Sequence, residues 1–190
     1  MKLGIYGGSF DPVHLGHLLV ARAAIEELGL QKLFFVPAAS SPFKPESQPA
    51  PDELRLRLLR LALAGMKDCE VDRQEIDRGG TSYTIETLRH FARSFPGAEL
   101  FFLIGADNTA ALAQWREAGE LARLAVFVVV PRPGEAGAAF PPMFRGRILK
   151  GFPIRVSSSE IRARLKAGLP IDQLVPAPVA EAIRGEKMYL

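Results

Sequence analysis

The sequence predicts a doubly wound α/β protein: a parallel sheet with helices on both faces and a small helical part at the C-terminus. Three observations predict it. Apolar runs that do not alternate with polar residues recur along the chain, among them KLFFV at Lys32–Val36, ELFFLI at Glu99–Ile104 and AVFVVV at Ala125–Val130. Such strands belong to parallel sheets covered on both faces. Stretches of helical period separate them, and strands alternating with helices cross over right-handed in one sheet. Glycine or proline closes most runs, so these breaks should gather on the C-terminal rim, where ligands of open α/β sheets sit. At 190 residues the chain suits one domain, 1–190, with a C-terminal helical subdomain from about 157 to 190.

In chain order, Lys2–Tyr6 reads as a buried strand. His17–Leu28 reads as an amphipathic helix stopped by Gly29, and Lys32–Val36 as a second strand ended by Pro37. Residues 38–51 form a Pro- and Ser-rich loop long enough to suggest function. Asp52 is expected to cap a helix over Glu53–Ala64, and Glu70–Asp72 to form a short strand. Ile76–Ser82 reads as a loop and Tyr83–Phe95 as a helix stopped by Pro96-Gly97. After the strand Glu99–Ile104 come a turn at Gly105-Ala106-Asp107, a helix around Asn108–Ala113 leading to Trp115, and a helix over Glu117–Ala122. Ala125–Val130 is the most strongly β segment. Arg132–Arg145 is rich in glycine and proline and expected to be mobile. Arg147–Lys150 and Ile154–Val156 read as short strands. Ser157–Lys166 and Pro176–Arg184 read as the last helices.

The bulk numbers exclude several classes. With 48% hydrophobic and 24% charged residues, the chain can bury a core and is not of disordered composition. The net charge of +3, carried by 17 Arg and 7 Lys, suits small anions as well as nucleic acid. One cysteine, Cys69, excludes an internal disulfide and a Cys-based metal cluster. No apolar run reaches the roughly 18 residues of a membrane span, and MKLGIYGG lacks a signal peptide's apolar region. A cytoplasmic protein without membrane contact is the expectation.

The stretch from Leu3 to His17 carries the chemistry. A strand runs into Gly7-Gly8-Ser9, then Asp11-Pro12, then His14 and His17 split by Gly16, directly before a helix. The first N–H groups of a helix lack backbone partners and lie at the positive end of its dipole, which makes an anion site. Two imidazoles beside it can donate hydrogen bonds to a phosphate. The same pair also fits two surface histidines or, less well, a partial zinc site, since zinc takes three or four ligands. A second cradle is written at Ser157-Ser158-Ser159-Glu160-Ile161-Arg162. Serines are cap residues in their own right, but Arg162 in the first turn adds a guanidinium to hydroxyls and open N–H groups. The glycine turn is neither G-x-G-x-x-G nor a P-loop.

Gly8-Ser9-Phe10-Asp11-Pro12-Val13-His14-Leu15-Gly16-His17 resembles the G-[TS]-F-D-P-x-H-x-G-H signature of the HxGH nucleotidyltransferases, and Val156–Arg162 resembles their second motif, I-S-S-T-x-I-R. The likeness spans the chain. It is strongest to the bacterial nicotinate-nucleotide adenylyltransferases, on Ser82-Tyr83-Thr84, Ile104-Gly105-Ala106-Asp107 leading to Trp115, Arg132-Pro133-Gly134 and the ending Met188-Tyr189-Leu190.

The resemblance implies a Rossmann-like fold and transfer of AMP from ATP to nicotinate mononucleotide. It implies catalytic roles for His14, His17 and Arg162. ATP would be held by Gly8, Ser9, Phe10, His17, Asp107, Arg132, Ser157, Ser158 and Arg162. The acceptor would be held by Lys44, Tyr83, Thr84, Asp107 and Trp115, with Trp115 stacked on the pyridine ring. Without the resemblance, Tyr83-Thr84 is also a helix cap, Trp115 a buried aromatic, Asp107 an N-cap and Arg132 a solvated loop residue. This chain has Phe43 and Ser41 where the family often has histidine and proline beside Lys44, so any role of that histidine is lost. Mg²⁺ would ride on the ATP phosphates and water, with no protein metal site. ATP and nicotinate mononucleotide are the implied partners, nucleic acid is not, and a homo-oligomer is compatible with the sequence. The rival readings are phosphopantetheine or nicotinamide-mononucleotide adenylyltransferase and, more distantly, a non-catalytic nucleotide- or RNA-binding module. The last lacks the basic, aromatic-interleaved block that RNA binding calls for.

Overall fold

The structure is a computed structural model and describes residues 1–40, 49–129, 139–152 and 154–189. Its strands are β1 (Lys2–Gly8), β2 (Lys32–Pro37), β3 (Cys69–Val71), β4 (Glu99–Ile104), β5 (Ala125–Val129) and β6 (Gly146–Ile148). Its α-helices are α1 (Leu15–Leu28), α2 (Asp52–Leu63), α3 (Gln74–Arg78), α4 (Thr84–Ser94), α5 (Ala118–Leu124), α6 (Ser158–Lys166) and α7 (Ala177–Gly185). All strand pairs are parallel, and the order is β3-β2-β1-β4-β5-β6. The chain winds outward from β1 to β3 and then returns to the other side of β1 as β4. The crevice beyond β1 and β4 is therefore the topological switch point, where Rossmann-like sheets bind ligands.

Alternate residues of the apolar runs enter two cores on opposite faces. Leu33, Phe35, Phe101, Leu103, Val126 and Val128 pack with α1, α2, α6 and α7. Phe34, Val36, Leu100, Phe102, Ile104, Phe127 and Val129 pack with α4, α5 and Phe144. This two-sided burial is why the runs carry no polar alternation. Gly4 is set by close approach, since a Cβ there would meet Leu30 Cδ1 at 2.6 Å. Gly29 takes φ 65° and ends α1 in the left-handed conformation expected of a glycine stop.

The fold class stands as predicted, and several boundaries move. α1 begins at Leu15, so His17 lies in its first turn and His14 caps it. Pro51 precedes α2 and Asp52 is its first residue, its carboxylate turned to Arg55. Gln74–Arg78 is a short helix where a loop was expected from Ile76. Tyr83 caps α4 and does not begin it. The stretch before Trp115 is two 3₁₀ turns, Ala106–Asn108 and Leu112–Gln114, not one α-helix. Of the two short strands expected near the C-terminus, the first forms as β6, while Ile154–Val156 pairs with no strand among the described residues. Residue 130 and half of the expected mobile segment, residues 132–138, lie outside the described residues.

Candidate active site

The predicted gathering on the C-terminal rim is present. Gly8 pairs with Pro37 at the ends of β1 and β2, and Ile104 with Val129 at the ends of β4 and β5. Two ties draw the loop after β2 to the segment before α4: a bridge between Ser40 and Thr81, and Ala39 N–H donating to Ser82 Oγ at 3.0 Å.

His14 and His17 stack at 3.6 Å between ring centroids, 23° from parallel. His14 is buried. Its backbone N–H donates to His17 Nδ1 at 3.2 Å, half of a capping box that starts α1. A neutral imidazole that accepts at Nδ1 carries its proton on Nε2. Gly16 is required by this stack: a Cβ there would lie 3.0 Å from His14 Cε1 and Nδ1. Phe10 lies below with φ 46°, and its buried ring sits edge-on to His17 at 5.0 Å and to Tyr6 at 5.4 Å.

The second motif closes on the first. Ser157 caps α6 by accepting from Glu160 N–H at 3.2 Å. Ser158 Oγ donates to the Pro12 carbonyl at 2.9 Å, and Arg162 Nη1 donates to the Asp11 carbonyl at 2.6 Å. Two stretches some 150 residues apart in sequence thus form one surface carrying Gly8, Ser9, Phe10, His14, His17, Ser157, Ser158 and Arg162. Arg162 is more than a third exposed and retains donors beyond that single bond.

The expected acceptor residues stand at the start of α4 and after β4, with Tyr83 and Trp115 packed against the core on the sheet face opposite α1 and α6. Thr84 opens α4, and its cap Tyr83 makes no side-chain cap bond. The Arg116 guanidinium lies 4.6 Å above the Tyr83 ring, which brings the segment of Trp115 to the start of α4. Trp115 is half-buried, edge-on to Phe127 at 6.2 Å. Asp107 is exposed at the end of β4, its carboxylate folded over Gly105; a Cβ on Gly105 would fall 2.4 Å from Asp107 Oδ1. Lys44 and Arg132 lie outside the described residues.

Arg55, Asp11 and Tyr189 were not expected here. Arg55 is completely buried on α2. Its guanidinium donates to the carbonyls of Ser9 (2.8 Å), Ala38 (2.8 Å) and Ala50 (3.0 Å) and pairs with Asp52. Asp11 is buried, and Oδ1 accepts from Tyr189 Oη at 2.6 Å and Ala50 N–H at 3.3 Å. Burial, and then the neighbouring Asp11 carboxylate, push the Tyr189 phenol above its usual range, so it remains a donor. The one sequence signal for Arg55 was its position on the leucine-lined face of α2, four residues before Leu59 and seven before Ala62. Cys69 is excluded as a nucleophile, because burial pushes its thiol up to about 11.

Both groups of residues thus stand at the C-terminal ends of β1 and β4, where the strand order reverses. A family model described as cytidylyltransferase-like matches residues 5–164. A Thermus thermophilus protein described as a probable nicotinate-nucleotide adenylyltransferase is 42% identical over 193 residues, covering 100% of both chains. One of the same description from Opitutus terrae is 40% identical over 196 residues, covering 100% of this chain and 98% of its own. The solved structure of Plasmodium falciparum nicotinic acid mononucleotide adenylyltransferase complexed with NaAD superposes with a TM-score of 0.78 over 99% of this chain and 97% of that one. At 18% identity that likeness is one of fold. The chain belongs to the cytidylyltransferase-like nucleotidyltransferases and, among them, to the nicotinate-nucleotide adenylyltransferase family.

Proposed function

We propose that the protein transfers the adenylyl group of ATP to nicotinate mononucleotide, giving deamido-NAD and pyrophosphate in NAD biosynthesis, and that residues 1–190 act as one catalytic unit. The observation that carries the reading is the joining of the two phosphate cradles. Ser158 and Arg162 are hydrogen-bonded onto the backbone that leads into the stacked histidines, at the start of α1 and at the switch point of the sheet. Two cradles side by side suit a triphosphate better than a single phosphate.

The acceptor's 5′-phosphate oxygen attacks the α-phosphorus. The new P–O bond forms as the bond to the β-phosphate bridging oxygen breaks, and pyrophosphate leaves with that electron pair. The nucleophile is already anionic, so no general base is needed. Catalysis rests on alignment and on donors aimed where charge grows. His17 Nε2–H, His14 and the first N–H groups of α1 serve the α-phosphate, with Gly8, Ser9 and Phe10 as its floor. Ser157, Ser158 and Arg162 serve the leaving β- and γ-phosphates. Arg132 borders the adenine, and Asp107 accepts ribose hydroxyls. Lys44 meets acceptor phosphate. Thr84 and the first amides of α4 meet the nicotinate carboxylate, which favours the acid over the amide at a positive helix end, while Tyr83 and Trp115 bound the ring. Mg²⁺ enters with ATP. Such an ion would keep phosphate oxygens and water as ligands. The described residues include no helix long and apolar enough to cross a membrane.

The test is pyrophosphate release from Mg–ATP with nicotinate mononucleotide, nicotinamide mononucleotide or phosphopantetheine supplied singly. Release is expected chiefly with the first. Release confined to phosphopantetheine would overturn the acceptor, and release with none would overturn the reaction.

A further inference from the structure

The turn that carries the phosphate chemistry does not hold itself. Phe10 sits in the left-handed region, at φ 46°, which a bulky L-residue rarely adopts. The flanking residues are therefore fixed from outside, and two groups from distant parts of the chain supply the hold. On one side Arg55 donates to the Ser9 carbonyl. On the other, Tyr189, next to the C-terminus, donates to Asp11 Oδ1. Ala50 couples the two, since its carbonyl accepts from Arg55 and its N–H donates to Asp11 Oδ1. Arg162 then takes its position from the Asp11 carbonyl. Between the two grips, the Phe10 ring lies against His17. A shift of Asp11 would therefore be passed to both the histidine and the arginine assigned to the phosphates.

We infer that Tyr189 is a positioning residue for adenylyl transfer: through its hydrogen bond to Asp11, and opposite the Arg55 grip on Ser9, it fixes the Ser9–Asp11 turn on which His17 and Arg162 are aligned. Met188 is buried in the main core and the Tyr189 phenol is aimed at the buried Asp11 side chain. A tail that only needed anchoring would not require a hydroxyl on the catalytic turn. The inference rests on the adenylyl-transfer reading and extends it to residues in neither sequence motif.

The experiment compares the full-length protein with Tyr189→Phe and Arg55→Lys, using Mg–ATP and nicotinate mononucleotide well below the thermal midpoint. Tyr189→Phe keeps the buried ring and removes one hydroxyl. Its kcat should fall about ten-fold or more, as for a lost hydrogen bond to a buried carboxylate. KM for the mononucleotide should stay within about two-fold, because Thr84 and Trp115 lie across the crevice from this turn. Arg55→Lys keeps the charge but cannot span three carbonyls, and should show the same split. In an Asp11→Ala background, Tyr189→Phe should change kcat no further. Tyr189→Phe with wild-type kcat would overturn the inference, whatever the thermal midpoint does. So would an undiminished Tyr189→Phe effect in the Asp11→Ala background. A wild-type protein that releases no pyrophosphate would instead overturn the adenylyl-transfer reading.

Discussion

The two sides of the crevice are built differently. On the phosphate side, side chains grip backbone. Arg55 holds three carbonyls, Arg162 and Ser158 one each, and Tyr189 a buried carboxylate. On the acceptor side, surface ion pairs link helix to helix. Arg89 bridges Glu117 and Glu120, Arg116 reaches Glu86, and the connecting backbone is two short 3₁₀ turns. Exposed pairs of that kind contribute little, typically below about 1 kcal/mol each, whereas a buried group left unsatisfied costs several times more. The phosphate side is thus fixed before any ligand arrives, as transition-state stabilisation demands. The acceptor side can adjust around a ring.

If that contrast is right, defects on the two sides should appear in different kinetic constants. The largest effect is expected for His17→Ala, which removes the Nε2 donor and the capping partner of His14 N–H. Loss of one preorganised donor at an oxyanion costs about 10²–10³ in kcat. KM for nicotinate mononucleotide should change far less. Steady-state kinetics with each substrate varied decides it, and near-full kcat would remove His17 from the reacting centre.

Trp115→Leu should do the reverse. Leucine keeps part of the packing on Phe127, so the fold is spared the full cost of a core truncation, while the ring surface is lost. Stacking of an aromatic side chain on a base is worth about 1–3 kcal/mol, so KM for the mononucleotide should rise by roughly 5–100-fold with kcat nearly kept. A fall in kcat alone would show that both sides are rigid and that the contrast fails.

How much of this was legible follows from the same contrast. The phosphate turn could be read because its parts are contiguous: a strand, glycines, two histidines and a helix start occupy residues 3–17. Ser157 could be read as a cap because capping is local, and it does cap α6. The two grips on that turn could not. Arg55 looks like one charged residue in an amphipathic helix, and only the tertiary fold shows that the face it shares with Leu59 is covered. Asp11 and Tyr189 are 178 residues apart, and no periodicity encodes their meeting. On the acceptor side the sequence placed Asp107 and Trp115 after β4 but took the intervening turns for one helix. Its apolar spacing fits three residues per turn nearly as well as 3.6 over so short a span.

The smallest effect tests a buried polar link on the acceptor side. Glu75 of α3 is buried and accepts from Thr87 Oγ1 of α4, beneath the Ser82-Tyr83-Thr84 segment. Burial raises its carboxyl above the ordinary value of 4.5, and hydrogen bonds from Thr87 and Ser82 only partly oppose this. The sign follows from linkage. A raised folded-state pKa gives stability that is full below the unfolded value, here 4.5, and is lost as pH climbs through the folded value. Glu75→Gln keeps an oxygen to accept from Thr87 and does not titrate. Wild type and variant should therefore be closest in acid, and the variant should gain relative stability as pH rises toward 8. The gain should stay within the roughly 1.5 kcal/mol scale of one hydrogen bond. Denaturant unfolding of both proteins from pH 4 to 8 measures it. A difference moving the other way would mean that Thr87 and Ser82 outweigh burial.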